Sequence, residues 1–484
     1  MNYKKIYNTL GSILQLEAVL MVLPLMISII YREELRTCLS FVITILALGA
    51  VGGLMKFRKA EKDKIYARDG YVLVALTWLF MSAFGALPFV ISGAVPSYVN
   101  AFFETVSGFT TTGSTILTSI QTLPKSILFW RSFTHFIGGM GILVFAIAIM
   151  PKTEGSAMHI MRAEVPGPSV GKLVSRLRAS ARILYAIYIG MTLLLIGLLC
   201  IGRMPLFDSV CTAFATAGTG GFSVLNNSIE GYSSAYCEII IAVFMVLYGV
   251  NFNLYYISLK GHWRQFFKDE EFRWYLGTIA AATLVITLQL TVTRHPFAQS
   301  LRLAFFQVSS IISTTGFTTT NFDMWPTLSK IVLYLLMFLG ACAGSTGGGL
   351  KISRVVILVK NAKRTIKKAF NPKRVEGVKM DGRAVDEEIV TGVINFLAIY
   401  VIVIFISVFI IAIDGHDMIT SLTSVVTCIN NVGPAFSEIG PYGNFTELSN
   451  LSKVVLTFDM LAGRLELIPM FMVFSKYIIP HKNA

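Results

Sequence analysis

Charge is what this chain has least of. Only 14% of its 484 residues are Asp, Glu, Lys or Arg, against about 25% in ordinary soluble domains. With 54% of the residues hydrophobic, that shortage excludes a large soluble helical protein. Acids are scarce inside the apolar stretches, and the six histidines (His135, His159, His262, His295, His416, His481) are dispersed. A membrane enzyme working through metal-binding acid clusters or histidine pairs therefore has no visible site. The six cysteines (Cys38, Cys200, Cys211, Cys237, Cys342, Cys428) contain no CxxC pair, which argues against a disulfide framework or a zinc site and for buried free thiols.

What the chain has instead is long apolar runs. A span of a ~30 Å hydrocarbon core needs about 20 residues. Ten candidates occur: Leu10–Ile30, Leu39–Met55, Tyr71–Ile91, Ile127–Met150, Ile183–Ile201, Ile239–Leu259, Tyr275–Val292, Ile331–Lys360 with an interruption, Ile389–Ile413 and Val454–Tyr477. The first run follows Lys4 and Lys5 and is too long for a signal-peptide core, so it reads as a retained helix. The net charge of +14 resides in the connectors Lys56–Arg68, Lys152–Arg182, Lys260–Arg273 and Lys351–Arg383. Basic connectors face the cytoplasm, which sets both termini inside, and an even number of spans agrees.

Between paired runs the chain repeats a short Gly/Thr-rich stretch four times. These are Thr111-Thr112-Gly113, Gly218-Thr219-Gly220, Thr314-Thr315-Gly316 and Asn431-Val432-Gly433. The first and third are close copies, with Ala101-Phe102-Phe103-Glu104 and Ala304-Phe305-Phe306-Gln307 each opening twelve residues before the glycine. In the second copy Gly218 and Gly220 are alternative register choices. Each stretch follows a short segment (Phe102–Phe109, Val210–Phe214, Phe305–Ile312, Leu422–Ile429) able to make about two helical turns. Non-helical backbone at membrane depth is tolerated where it lines a water-filled cavity. The expectation is an all-α membrane protein: an N-terminal hairpin (1–68), then four helix–pore-loop–helix repeats (69–151, 152–260, 261–372, 373–484) in pseudo-fourfold array about one pore. Rings of main-chain carbonyls in such a pore replace the hydration shell of K+.

The motifs Gly108-Phe109-Thr110-Thr111-Thr112-Gly113-Ser114-Thr115, Thr219-Gly220-Gly221-Phe222-Ser223, Ser313-Thr314-Thr315-Gly316-Phe317 and Asn430-Asn431-Val432-Gly433-Pro434 resemble those of the Trk/Ktr/HKT superfamily of potassium transporters. Gly344-Ser345-Thr346-Gly347-Gly348-Gly349 and Gly463-Arg464 extend the resemblance. It covers essentially the whole chain, and the extra hairpin is similar to the bacterial TrkH type. The resemblance implies K+ uptake by a homodimer embedded in lipid of the bacterial inner membrane. It also implies a cytosolic, nucleotide-binding regulatory ring of the TrkA kind, and no organic cofactor. Ala435 and the Ala217-Gly218 pair depart from the family pattern.

The run from Gly340 to Gly349 interrupts the third repeat. Glycine disfavours helix by about 1 kcal/mol per residue, so an unwound loop is expected there. A phosphate-binding role for it lacks the Gly-Lys-Ser/Thr signature; a gate below the filter, which the resemblance implies, is the sharper reading. Arg464 lies in an apolar run between Asp459 and Glu466. A charge at that depth must face protein or water: an acid partner is one reading, a place in the pore beside the loop is the reading implied by the resemblance. Glu17 is read as a buried polar contact, and Glu104 as a first-turn carboxylate facing a helix dipole. The competing class is a cation-coupled secondary transporter with alternating access, which the glycine-rich break fits but the fourfold repeat and the scarce acids do not.

Overall fold

The computed structural model describes residues 3–56, 67–141, 177–293, 296–372, 376–465, 467 and 470–471. The chain is mostly helical, with one two-stranded hairpin. Among the described residues, six helices are long and apolar enough to cross a membrane: Tyr3–Ile30 taken through its break, Leu35–Lys56, Asp69–Ser92, Ala181–Ile201, Glu270–Val292 and Glu387–Asp414. The far half of Ile127–Met150 and the end of Val454–Tyr477 lie outside the described residues, as do most of the first two basic connectors.

The first two spans pack against each other, and small residues set their spacing. A Cβ on Gly11 would stand 2.6 Å from the Gly52 carbonyl oxygen, and one on Gly52 would stand 2.7 Å from that of Gly11. Backbones come this close only where neither residue has a side chain. The hairpin is tied down by Glu33, which accepts from the Ser126 amide (2.9 Å) and hydroxyl, and by Arg36, which donates to the Ile91 carbonyl at 2.8 Å.

Besides the one-residue breaks at Met21 and Ala86, two more expected spans are broken. The Gly340–Gly349 interruption leaves Thr327–Leu339 and Ile352–Phe370 as separate helices. The Ile239–Leu259 run, read as one helix, bends by 89° between Ala235–Tyr248 and Phe252–Leu259. At the bend a Cβ on Gly249 would lie 2.2 Å from the Tyr275 hydroxyl, and the Asn251 side chain caps the new helix by accepting from the Asn253 amide at 2.9 Å. The freed Gly249 carbonyl accepts from Cys342 of the glycine-rich loop at 3.0 Å. Two interruptions distant in sequence thus satisfy each other's backbone groups.

Four shorter helices, Tyr98–Phe109, Leu206–Gly218, Phe297–Ile312 and Met418–Ile429, occupy the expected places. They are longer than two turns because their start signals lie upstream. Pro205 and Pro296 stand before two of them with φ near the helical value. Asp417 caps the fourth, its carboxylate accepting from the Thr420 and Ile419 amides.

The Gly11–Gly52 contact generates a direct test. Gly52→Leu forces the hairpin apart and should lower the thermal midpoint of the detergent-solubilised protein, at about 1–3 kcal/mol of overpacking cost. Gly49→Leu, with nothing within 4 Å of its Cβ position, should leave the midpoint unchanged.

Candidate ion-coordination site

All four short helices end in the same backbone motif. At the end of each, one residue is left-handed: Thr111 (φ 58°), Thr219 (φ 56°), Thr314 (φ 58°) and Asn431 (φ 54°). Each donates its amide three residues back, to Gly108, Thr216, Ile311 and Cys428. The next amide reaches five residues back: Thr112 to Ser107 (2.9 Å), Gly220 to Ala215 (2.9 Å), Thr315 to Ser310 (2.8 Å) and Val432 to Thr427 (3.0 Å). This is a Schellman termination, normally built on glycine. A β-branched threonine in that conformation costs about 1–2 kcal/mol, strain that tertiary contacts must offset.

The repeated motif corrects the register of the second copy. Two residues beyond each left-handed residue stands a positive-φ glycine: Gly113 (φ 85°), Gly221 (φ 75°), Gly316 (φ 83°) and Gly433 (φ 105°). The counterpart of Gly113 is therefore Gly221, rather than Gly220 or Gly218. Gly220 occupies the place of Thr112, Thr315 and Val432. Gly218 is the last residue of its helix, where a Cβ would lie 2.2 Å from the His135 carbonyl oxygen. A signal was present in the sequence: Gly221-Phe222 matches Gly316-Phe317.

These four glycines meet in cyclic order. A Cβ on Gly113 would stand 2.1 Å from the Gly220 oxygen, and one on Gly221 would stand 2.0 Å from Thr315 O. One on Gly316 would be 2.2 Å from Val432 O, and one on Gly433 would be 2.8 Å from Thr112 O. Every contact runs from the glycine of one segment to the carbonyl just before the glycine of the next, and the fourth returns to the first. The same four glycines line a cavity of about 240 Å³, together with Ser114, Ser223, Pro434 and Arg131.

Polar side chains hold the segments in place. Glu104 lies in the middle of its helix, which starts at Tyr98, so it does not face the dipole as expected. Its carboxylate instead accepts from the Thr115 hydroxyl (3.0 Å), the Ile116 amide (2.9 Å) and Arg131 Nε (2.6 Å). Arg131 in turn donates to Ser223 O at 2.9 Å and covers the Phe222 ring at 3.6 Å. His135 joins the same two segments. Its Nε2 accepts from the Phe222 amide at 3.3 Å, which leaves the proton on Nδ1 to donate to Gly108 O at 2.7 Å. The ring fills the volume a side chain at Gly220 would need. Nothing local in the sequence marks His135 or Arg131 for this role; their partners are distant in the chain. Glu17 is buried against Gly85.

The glycine-rich loop packs under the third and fourth turns. The Gly348 amide donates to Thr314 Oγ1 at 2.7 Å, and a Cβ on Gly348 would lie 2.6 Å from Asn430 O. Lys351 is buried and folds its ammonium back onto Gly347 O. Arg464 donates to Thr346 O and to Gly138 O and Gly139 O, each at 2.6 Å. It thus bridges the loop to the Lys125–Gly139 helix. Of the two acids beside it in sequence, Asp459 accepts from the Ser407 hydroxyl at 2.9 Å, and Glu466 lies outside the described residues.

His135→Ala would strand the buried Gly108 carbonyl and Phe222 amide. A loss of about 1–3 kcal/mol is expected, read as a lower unfolding midpoint; an unchanged midpoint would show that the ring does not join these segments.

The family model TrkH, described as cation transport protein, matches residues 38–483. The Salmonella typhimurium Trk system potassium uptake protein TrkH is 35% identical over 98% of this chain and 99% of its own. The Escherichia coli TrkG protein is 30% identical over 96% of each. The crystal structure of the potassium transporter TrkH from Vibrio parahaemolyticus superposes with a TM-score of 0.89 at 30% identity, covering 99% of this chain and 100% of that one. These relatives are transporters, not enzymes. With its own apolar spans, this chain is a multi-pass membrane protein and belongs to the TrkH family.

Proposed function

We propose that this chain takes up potassium ions across the bacterial inner membrane through a filter of main-chain carbonyls. The observation that carries the reading is the closed cycle of Gly113, Gly221, Gly316 and Gly433 around one cavity. Four segments with matching backbone, each pressed against the next, present oxygens to a common centre. In this reading K+ exchanges water for the carbonyls of Thr111, Thr112 and Gly113, of Thr219, Gly220 and Gly221, of Thr314, Thr315 and Gly316, and of Asn431, Val432 and Gly433. No acid or base chemistry is needed, since backbone dipoles do the coordination. The names of the two relatives, both Trk system potassium uptake proteins, support the choice of ion.

The same reading takes residues 1–68 as an accessory hairpin and 69–151, 152–260, 261–372 and 373–484 as four repeats in pseudo-fourfold array. Both termini and the basic connectors face the cytoplasm. Gly344, Ser345, Thr346, Gly347, Gly348 and Gly349 form the gate beneath the filter, latched by Arg464, whose charge also repels cations while the loop is closed. A cytosolic nucleotide-binding ring of the TrkA kind moves the loop, and the functional unit is a homodimer.

Uptake of rubidium into protein-loaded vesicles, competed with sodium, tests the filter. Gly221→Ala introduces a Cβ into a left-handed position 2.0 Å from a carbonyl oxygen, so the preference for potassium over sodium should fall at least several-fold; an unchanged ratio refutes the assignment. Deleting Ser345–Gly348 should raise basal flux, and Arg464→Ala should do so by releasing Thr346. If both variants fold and neither leaks more than the parent, the loop is not a gate.

A further inference from the structure

The glycine-rich loop is held at both ends by one carboxylate that no sequence motif marks. Glu271 lies in the first turn of the Glu270–Val292 helix and is buried. Its Oε1 accepts from the Ala343 amide at 2.7 Å and from the Ser353 amide at 2.9 Å. Ala343 precedes the glycines Gly344–Gly349 and Ser353 follows them, so a single oxygen pins the entrance and the exit of the loop together. Loss of that oxygen leaves two amides unpaired in a buried place.

The neighbouring residue is held from the opposite side. Glu270 and Asp381 exchange hydrogen bonds: the Glu270 amide donates to Asp381 Oδ1 at 2.7 Å, and the Asp381 amide donates to Glu270 Oε2 at 3.2 Å. Asp381 and Gly382 are the turn of a short hairpin in which Lys379 faces Ala384 and Met380 faces Arg383. Both turn residues have positive φ, the requirement of a two-residue hairpin turn. Lys360, on the helix that leaves the loop, donates to Lys379 O at 2.7 Å and pairs with Glu270. Val378, Met380 and Val385 pack on Ile357 of that same helix. The hairpin therefore grips the start of one helix and the side of the next, and the loop lies between them.

We propose that Glu271 is the positioning residue that keeps the loop closed, and that the Lys379–Ala384 hairpin transmits displacement into the loop through its clasp on Glu270. The proposal rests on the gate reading above. Moving the hairpin away from the membrane pulls the first turn of the Glu270–Val292 helix with it. Glu271 then leaves the Ala343 and Ser353 amides, and the ends of the loop keep the bonds of the Ile352 amide to Ala341 O (3.1 Å) and of the Leu350 amide to Phe338 O (3.2 Å). Arg464 and Lys351 hold only its middle, through carbonyls of Thr346 and Gly347.

The test uses the full-length protein with two readouts: rubidium flux in vesicles and backbone deuterium exchange of the 340–354 segment. Glu271→Ala should raise basal flux about tenfold and accelerate exchange across the segment. Glu271→Gln, which keeps an acceptor oxygen in place, should restore both to the parental level. Asp381→Ala should give a smaller rise. Combined with Glu271→Ala it should add nothing, because the two act through one contact. Parental flux and exchange in Glu271→Ala, or identical behaviour of the Ala and Gln variants, overturns the tether. Multiplicative effects in the double variant overturn the hairpin's part. If deleting Ser345–Gly348 leaks while Glu271→Ala does not, the tether alone fails. If the deletion does not leak, the gate reading fails, and exchange of the segment still decides whether Glu271 holds it.

Discussion

Close approach of main chain to main chain, possible only where side chains are missing, is the constraint on which this structure depends. Around the central cavity each of Gly113, Gly221, Gly316 and Gly433 leaves less than 3 Å between its absent Cβ and a carbonyl oxygen of the adjacent segment. The same device recurs elsewhere. Gly138 lies where a Cβ would meet Phe109 O at 1.8 Å, and Gly463 where one would meet Ile429 O at 2.0 Å. Helices that flank the turns are thus seated directly on the backbone of the short helices.

A backbone packed so tightly must satisfy its own polar groups. The Schellman turns do so for the short-helix ends, at the cost of threonine in a left-handed conformation. Side chains complete the task where the turns cannot: Glu104 and Arg131 between the first and second segments, His135 on the same seam, Asn431 to Thr112 at 2.9 Å between the fourth and first. Asn431 is the non-threonine member of the left-handed set, and its amide also reaches Met460 O at 2.9 Å. Variation among the four copies follows from these seams, since each joins a different pair of neighbours.

Below the turns, the glycine-rich loop depends on charged groups for its place. Arg464, Lys351 and Glu271 all contact main-chain atoms of the loop or its ends. Such contacts are strong while intact and costly when one partner leaves, which suits an element with two discrete positions better than one that yields gradually. Broken helices elsewhere, at Gly249 and at Gly340, supply the carbonyls and amides that the loop consumes.

Much of this was legible from residue order alone, because a membrane permits few solutions. Apolar length marked the spans, Lys and Arg placement marked the connectors, and Thr-Thr-Gly following Phe-Phe marked the first and third turns. These signals are local, and local periodicity and composition are what a linear chain displays. The 89° bend after Tyr248, the Asp381-Gly382 hairpin within a basic connector, and the partners of Glu104 and Arg464 were not legible in the same way. The match of Gly221-Phe222 to Gly316-Phe317 pointed to Gly221, but the tertiary structure decided that it, rather than Gly218 or Gly220, joins the ring, since the choice turns on which glycine meets Thr315. It likewise decided that Glu271 reaches both ends of a loop more than seventy residues away. Backbone contacts between distant segments depend on how helices seat against one another, and no short stretch of sequence encodes that distance.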